Sequence, residues 1–232
     1  MTRDEAKQKL VAGGHILAME GQGDLTRGHI SVRLPDDPTR FYMKPHSFGF
    51  DEMTVDNLVT CDLEGEKVEG WAPRHSEVFI HSEIFKLRPD ITSIIHTHPP
   101  YSVAFSASGR KLLALSQPSA LFVDNYGVYT GTIDLIRQKD QGHGVAKALG
   151  SHPVVFLKNH GVVVCGTSIE ESVIIALMLE NACQIHMIAE AAGPTAPEFE
   201  REHVMALRKK LLSPEQQTVN FNYLRRKVEK RA

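Results

Sequence analysis

Apolar positions at helical spacing alternate along the chain with short apolar segments bounded by turn residues. Residues 3–20 follow helical spacing and predict a first helix. The segments GHISVRL and RFYMKP flank the turn-rich PDDPT and predict a hairpin over residues 28–45, and another strand is expected at residues 58–62. Residues 76–87 return to helical spacing and predict a second helix, with Ser76 as its candidate N-cap.

The middle of the chain predicts further short strands and helices. TSIIHTH is β-branched and stopped by two prolines, as is typical of a buried strand that ends in a loop, and a helix is expected to begin near residue 102. Residues 112–115 are expected to form a strand and residues 141–149 a helix. PVVFLKNHGVVVCG predicts two apolar strands joined by a polar turn at residues 158–161.

The last third of the chain is mainly helical in pattern. Residues 168–192 form the longest helical pattern, and Ser168 with Glu171 matches a capping box at its start. Helices interleaved with short strands predict an α/β sandwich with a mixed, mainly antiparallel sheet. We expect one domain over residues 1–232, of which residues 193–232 form a C-terminal helical extension.

Composition favours a small-molecule substrate over nucleic acid or a membrane. The 232 residues carry 26 Lys and Arg against 28 Asp and Glu, so no basic field attracts anionic polymers or lipids. The three cysteines form no close pair, which argues against a disulfide framework and a thiolate zinc site. MTRDEAKQKLVAGG lacks the features of a signal peptide, and no apolar run is expected to approach membrane-spanning length, so a cytoplasmic protein is expected.

Three of the twelve histidines are candidate ligands of a divalent metal. His96 and His98 lie two apart in a predicted strand, so both side chains leave the same face, although two core or surface histidines also occur at this spacing. His160 is at the tip of a predicted hairpin, before Gly161. Three imidazoles with an open position describe a catalytic site, and zinc, iron, cobalt and manganese all accept them.

Glu77 is the candidate catalytic residue. Its position at the start of a predicted helix is also explained by a favourable interaction with the helix dipole. Beside a metal ion, however, a shielded carboxylate can serve as ligand or as general acid and base.

The motifs GHISVR, KPHSFGF, RHSEVFIH, HTHPPYS and LKNHGVVV, in this order, resemble the class II aldolase/adducin family over about residues 10–191. The resemblance implies a single α/β/α domain, often a tetramer with sites at subunit boundaries. It also implies one divalent metal per subunit, bound by the histidines that correspond to His96, His98 and His160. The family's catalytic acidic residue corresponds to Glu77.

The departures from the sugar-phosphate members concern their phosphate-binding positions. Those members usually have GN, a small hydroxyl residue followed by glycine, and Ser-Ser, where this chain has Gly28-His29, His46-Ser47 and His75-Ser76. Imidazoles occupy volume there and suit a carboxylate or a phenol better than a phosphate. The aldolase tyrosine that donates a proton corresponds approximately to Gln117, which cannot do so, although Tyr126 or Tyr129 could substitute.

Within the family, the chain is most similar to decarboxylases of hydroxylated aromatic or pyridine dicarboxylates. The expected function is therefore metal-dependent decarboxylation of a small carboxylate. The alternatives are an aldolase or epimerase acting on a hydroxy-carbonyl or sugar-phosphate substrate, and a non-catalytic adducin-like interaction module. Arg74 is the candidate for gripping a second carboxylate through both guanidinium nitrogens. The full set of candidate substrate-binding residues is His29, His46, Arg74, His75, Ser76 and Gln117.

Overall fold

The computed structural model describes residues 1–193, 199–211 and 213–231. Its centre is one mixed sheet of eight strands in the order β4-β3-β2-β1-β5-β8-β7-β6. Only β6 and β7 pair in parallel within this described sheet, while the other neighbours are antiparallel. The strands are β1 (His29–Arg33), β2 (Arg40–Met43), β3 (Val59–Asp62), β4 (Lys67–Glu69), β5 (Ser93–Thr97), β6 (Gly127–Tyr129), β7 (Val154–Leu157) and β8 (Gly161–Gly166).

Helices cover both faces of the sheet. They are α1 (Arg3–Met19), α2 (Val78–Leu87), α3 (Pro100–Ser108), α4 (Lys139–Leu149), α5 (Ile169–Ala191), α6 (Arg201–Leu211) and α7 (Pro214–Glu229). Because successive strand residues point to opposite faces, Ile95 packs in the core with α1, α3, α5 and α7, while Ile94 packs with α2 and α4. The predicted α/β fold with a mixed, mainly antiparallel sheet is confirmed.

The long helix α5 begins at Ser168, whose Oγ accepts a hydrogen bond from the backbone N–H of Glu171. The predicted capping box is only half formed, because the Glu171 carboxylate accepts from the backbone and hydroxyl of Thr167 instead. By length and composition α5 could cross a membrane, which corrects the expectation that no such segment exists. Val173 and Leu179 are fully buried in it, as in the core helix of a soluble protein.

The C-terminal helix α7 packs on α1 and α5 through Phe221, which is 1% exposed. Lys227 of α7 reaches Glu20 at the end of α1, with 2.8 Å between nitrogen and oxygen. Part of the expected extension, residues 194–198, 212 and 232, lies outside the described residues. Most of its described remainder lies in α6 and α7, and Lys230 and Arg231 form a turn after α7.

Two local predictions are wrong. Residues 112–115 form no strand, because the backbone N–H of Leu112 donates to the Tyr126 hydroxyl and that of Leu113 to His186 Nδ1, rather than to a neighbouring strand. Ser76 is not the N-cap of α2. The N-cap is Glu77, and its side chain makes no capping hydrogen bond.

All three cysteines, Cys61, Cys165 and Cys183, are buried and free. Burial raises the pKa of each thiol to about 12. The thiols are therefore protonated and serve as small apolar groups in the core.

Candidate metal centre

Strand pairing at the centre of the sheet brings the candidate residues together. The register of β1 and β5 places His29 opposite His96, and that of β5 and β8 places His96 opposite Val163. His98 directly follows the end of β5, and His160 is the last residue of the turn before β8. His98 and His160, 62 positions apart in sequence, thus meet at one end of the neighbouring strands β5 and β8.

Three imidazoles converge there. His96 Nε2 and His98 Nε2 are 3.1 Å apart, and one ring nitrogen from each of His96, His98 and His160 lies within 4.8 Å of the others. The carboxylate of Glu77 lies beside them, with Oε2 3.9 Å from His96 Nε2 and Oε1 3.9 Å from His160 Nε2. Four donor groups from three parts of the chain therefore surround one small volume.

The hydrogen bonds of His96 and His98 fit a bound cation. His96 Nδ1 donates to the carbonyl of Val162 at 3.0 Å, and His98 Nδ1 donates to Asp24 Oδ2 at 3.1 Å. Since a neutral imidazole carries one N–H, both Nε2 atoms then hold lone pairs that face each other. Two lone pairs share no hydrogen, but a cation satisfies both, and such outer partners are typical of metal-bound histidines.

Burial keeps these histidines neutral. It lowers the pKa of His96 well below its usual value, lowers that of His98, and lowers that of His160 to about 4. Neutral imidazole is the form that binds a metal. His160 Nδ1, by contrast, is buried without a hydrogen-bond partner among the described residues, so its outer shell differs from those of His96 and His98.

Glu77 is 1% exposed and precedes the first residue of α2. Its Oε1 accepts a hydrogen bond from the backbone N–H of Ile136, at 2.9 Å, in the segment before α4. Burial raises the pKa of Glu77, and the Ile136 hydrogen bond opposes that rise. A carboxyl group in this setting can hold or release a proton.

Further imidazoles lie behind Glu77. The His29 ring is fully buried, and its centroid lies 4.1 Å from that of His75, which in turn lies 5.3 Å from that of His46. His29 Nε2 is 3.6 Å from Glu77 Oε2. The candidate substrate residues His29, His75 and His46 therefore form one row of rings that begins beside Glu77. His46, at the other end of this row, is exposed. Ser76 is half-buried next to them in sequence.

Arg74 and Gln117 are not brought to this cluster within one chain. Arg74 donates to the carbonyl of His75, and its guanidinium lies over the Phe79 ring, 5.8 Å from the centroid. Gln117 is exposed and lines a separate cavity of about 310 Å³ beside α6. Tyr126 packs on the Phe156 ring and accepts a hydrogen bond from the chain, so it belongs to the core.

A cavity of about 450 Å³ opens beside His98 and His160. Arg27 is the only lysine or arginine among its described lining residues. Its Nη2 lies 2.9 Å from Asp24 Oδ1, and Asp24 in turn holds His98. Sequence reasoning missed Asp24 and Arg27, although both lie just before the GHISVR motif that it singled out.

Known proteins share this sequence pattern. Residues 8–187 match the family model described as Class II Aldolase and Adducin N-terminal domain. The chain is 33% identical over 185 residues to Decarboxylase NovR of Streptomyces niveus, covering 79% of this chain and 68% of that protein. It is 32% identical over 189 residues to the 4-hydroxy-3-prenylphenylpyruvate oxygenase/4-hydroxy-3-prenylbenzoate synthase of Streptomyces roseochromogenus subsp. oscitans, covering 81% and 68%.

A solved structure shares the fold. The L-fuculose 1-phosphate aldolase from Glaciozyma antarctica PI12 superposes with a TM-score of 0.87 and 30% sequence identity, covering 98% of this chain and 89% of that one. Proteins named as a decarboxylase and as an aldolase are thus both similar to this chain. The eight-stranded sheet, the helices on both faces and the family match over most of the sequence show that the chain belongs to the class II aldolase and adducin family.

Proposed function

We propose that the protein is a divalent-metal-dependent lyase that decarboxylates a hydroxylated aromatic or pyridine carboxylate or dicarboxylate, in the cytoplasm and as a homo-oligomer. The observation that carries the choice of decarboxylation is the contact between the buried rings of His29 and His75, beside Glu77. Sugar-phosphate members usually have small donors at these positions. Two bulky imidazoles favour a planar acid over a phosphate ester.

The proposed residue roles follow from the distances. His96, His98 and His160 would hold the metal, with Glu77 near enough to serve as a further ligand. When bound, the metal supplies Lewis-acid stabilisation of the charge on the substrate's ring oxygen. Glu77 would hold a proton at its carboxyl group, which burial favours, and release it to the ring carbon. The carbon–carboxyl bond then breaks, its electron pair restores the aromatic ring, and CO2 leaves.

We assign to Arg27 the binding of a second carboxylate, the role that the sequence predicted for Arg74. It lines the cavity that reaches His98 and His160, whereas Arg74 lies against Phe79. A guanidinium can bind a carboxylate through two parallel hydrogen bonds, and Asp24 holds Arg27 in place. A dicarboxylate could thus be gripped at one end by Arg27, while its other carboxylate meets the histidine triad.

An aldolase or epimerase is the second candidate, because the fold is shared with an aldolase that is 30% identical. It predicts an aldehyde or an inverted product instead of CO2. A non-catalytic module is a third possibility and predicts neither metal binding nor turnover.

The test is a panel of hydroxylated phthalates and pyridine dicarboxylates, assayed for CO2 release with zinc, manganese, iron and cobalt. We expect release from at least one acid, its loss on chelation, and its return with a divalent metal. His98→Ala should abolish both metal content and activity, because a ligand is lost. Glu77→Gln should retain the metal but lower kcat by about 100-fold or more.

The control is His203→Ala, an exposed histidine on α6 that should leave metal content and turnover unchanged. Aldehyde formation without CO2 would assign the aldolase reaction instead. Normal metal loading in the His98 variant would remove His98 from the ligand set.

A further inference from the structure

Behind Glu77, contacts between side chains run from His29 through His81 to Ser31. We propose that Ser31 and His81 are positioning residues that fix the ring and the tautomer of His29, so that His29 presents its Nε2–H to Glu77. The proposal rests on the proposed function only in giving Glu77 a role in turnover. The arrangement of the four side chains stands on its own geometry.

Secondary structure places the four residues in two facing pairs. His29 and Ser31 are two apart in β1, so their side chains leave the same face of the sheet. Glu77 and His81 are four apart at the start of α2, so they lie on one side of that helix. All four are buried, with exposed fractions of 0% or 1%.

Two short contacts link the pairs. Ser31 Oγ lies 2.6 Å from His81 Nδ1, and His81 Nε2 lies 2.5 Å from His29 Nδ1. The rings of His29 and His81 are both 0% exposed, and burial favours the neutral form of an imidazole. Each ring then has one donor and one acceptor nitrogen, and the direction of one hydrogen bond fixes the direction of the next.

The direction is set at the two ends. Ser31 Oγ has no other hydrogen-bond partner among the described residues, so its buried hydroxyl proton finds an acceptor only if it donates to His81 Nδ1. His81 Nε2–H then donates to His29 Nδ1, which leaves the His29 proton on Nε2. That nitrogen faces Glu77 Oε2 at 3.6 Å and has no hydrogen-bond partner in the described structure. The reverse direction would leave the Ser31 proton without an acceptor, and whenever Glu77 is ionised it would also place a lone pair against the carboxylate.

Once Glu77 has released its proton, a donor approaches each of its two carboxylate oxygens. Ile136 N–H donates to Oε1, and His29 Nε2–H points toward Oε2. Outer partners that orient a reacting group in this way act without touching the substrate. Loss of the Ser31 hydroxyl frees His81 to turn or to change tautomer, and His29 loses its fixed donor.

The test compares Ser31→Ala with Ser93→Ala. Ser93 is an equally buried serine in the neighbouring strand β5, and its hydroxyl bonds that of Ser172 instead of a histidine. Imidazole ¹⁵N chemical shifts report which ring nitrogen carries the proton. They are measured on histidine-labelled protein without substrate, as apoprotein and loaded with zinc, and His29→Asn assigns the His29 signals.

We expect Ser31→Ala to lower the share of His29 protonated at Nε2, whereas Ser93→Ala does not. We also expect kcat of Ser31→Ala to fall by about tenfold, with KM within about twofold and metal content unchanged. His81→Gln serves as a second variant and should cause the same tautomer change. Equal His29 shifts in the wild type and both variants would overturn the proposal.

The spectra separate this proposal from the proposed function. If no acid in the panel releases CO2 but the His29 tautomer depends on Ser31, the proposed function fails and the positioning role stands. If CO2 is released and the tautomer does not respond, the positioning role alone is overturned.

Discussion

Lys44 is a cation in the core, close to the imidazole cluster. It is fully buried, and its Nζ donates to the carbonyls of Thr26, Pro45 and Phe48. These carbonyls belong to the segment before β1 and to the segment after β2. The hydrogen bonds of Lys44 therefore hold together the two segments that carry Arg27 and His46.

Burial lowers the pKa of Lys44 from its ordinary 10.5 to about 8, which gives a prediction for stability. Between these two values the unfolded chain keeps the proton that the folded chain has lost, so the free energy of unfolding should rise with pH. Relative to Lys44→Met, the wild type should gain up to about 3 kcal/mol between pH 8 and 10.5. Urea unfolding at several pH values measures this difference.

The control is Lys230→Met, at an exposed position. The plot of its free energy of unfolding against pH should be parallel to that of the wild type across this range. A Lys44 variant whose curve also stays parallel would show that Lys44 titrates alike in both states.

At the residue scale, the sequence could identify groups but not all of their partners. Two-residue spacing in a strand indicated that His96 and His98 share a face, and their ring nitrogens do meet. Their role as metal ligands stays a prediction. Arg74 was chosen because its guanidinium could bind a carboxylate through two hydrogen bonds, but the sequence does not show that this side chain lies over the Phe79 ring. The role of Arg27 could not be predicted from the sequence, because the cavity that it lines is formed by residues far apart in the chain.

At the element scale, the close approach of β5 and β8 depends on Gly161. A Cβ at this position would lie 2.6 Å from the carbonyl oxygen of Thr97 and 2.7 Å from Cδ2 of His98. Both distances are shorter than real Cβ contacts. The absence of a side chain thus lets the turn that carries His160 lie against His98.

Gly161→Ala should therefore push the two strands apart at the site. We expect the free energy of unfolding to fall by about 1–3 kcal/mol and metal affinity to fall by about tenfold. Thermal unfolding and competition with a chromogenic chelator measure the two effects. Gly23→Ala is the matched control, since its Cβ would meet only Ala18 Cα, at an ordinary 3.7 Å. Unchanged affinity in Gly161→Ala would show that β8 shifts without moving the histidines.

Elements with a strong apolar pattern were predictable, and weakly patterned ones were not. The hairpin of β7 and β8 is buried throughout and follows its predicted turn. The edge strand β4 is exposed along its length, so no alternation of apolar and polar positions predicted it. Residues 112–115 have strand composition, but side chains rather than a strand take up their first backbone donors.

At the scale of the whole molecule, α7 closes one face of the core. Phe221 belongs to the same apolar cluster as Leu10 of α1 and Leu179 of α5, although about 200 residues separate it from α1. We therefore propose that this helix folds cooperatively with the rest of the chain.

Phe221→Ala should lower the free energy of unfolding of the whole protein by roughly 3–5 kcal/mol, because it leaves a cavity in the core. Tyr223→Ala, at a 56% exposed position on the same helix, should change it by no more than about 0.5 kcal/mol. Denaturant unfolding followed by far-UV circular dichroism and tryptophan fluorescence should give coincident transitions. Separate transitions would make α7 an independently unfolding unit.

The burial of every sulfhydryl also has a practical side. Because Cys61, Cys165 and Cys183 are all shielded, alkylating probes find no reactive sulfur on the folded chain. One cysteine introduced at the 66% exposed Ile133, which lines the cavity, would therefore be a unique attachment point for a dye. Its emission would report ligand entry in real time, without first removing any native cysteine.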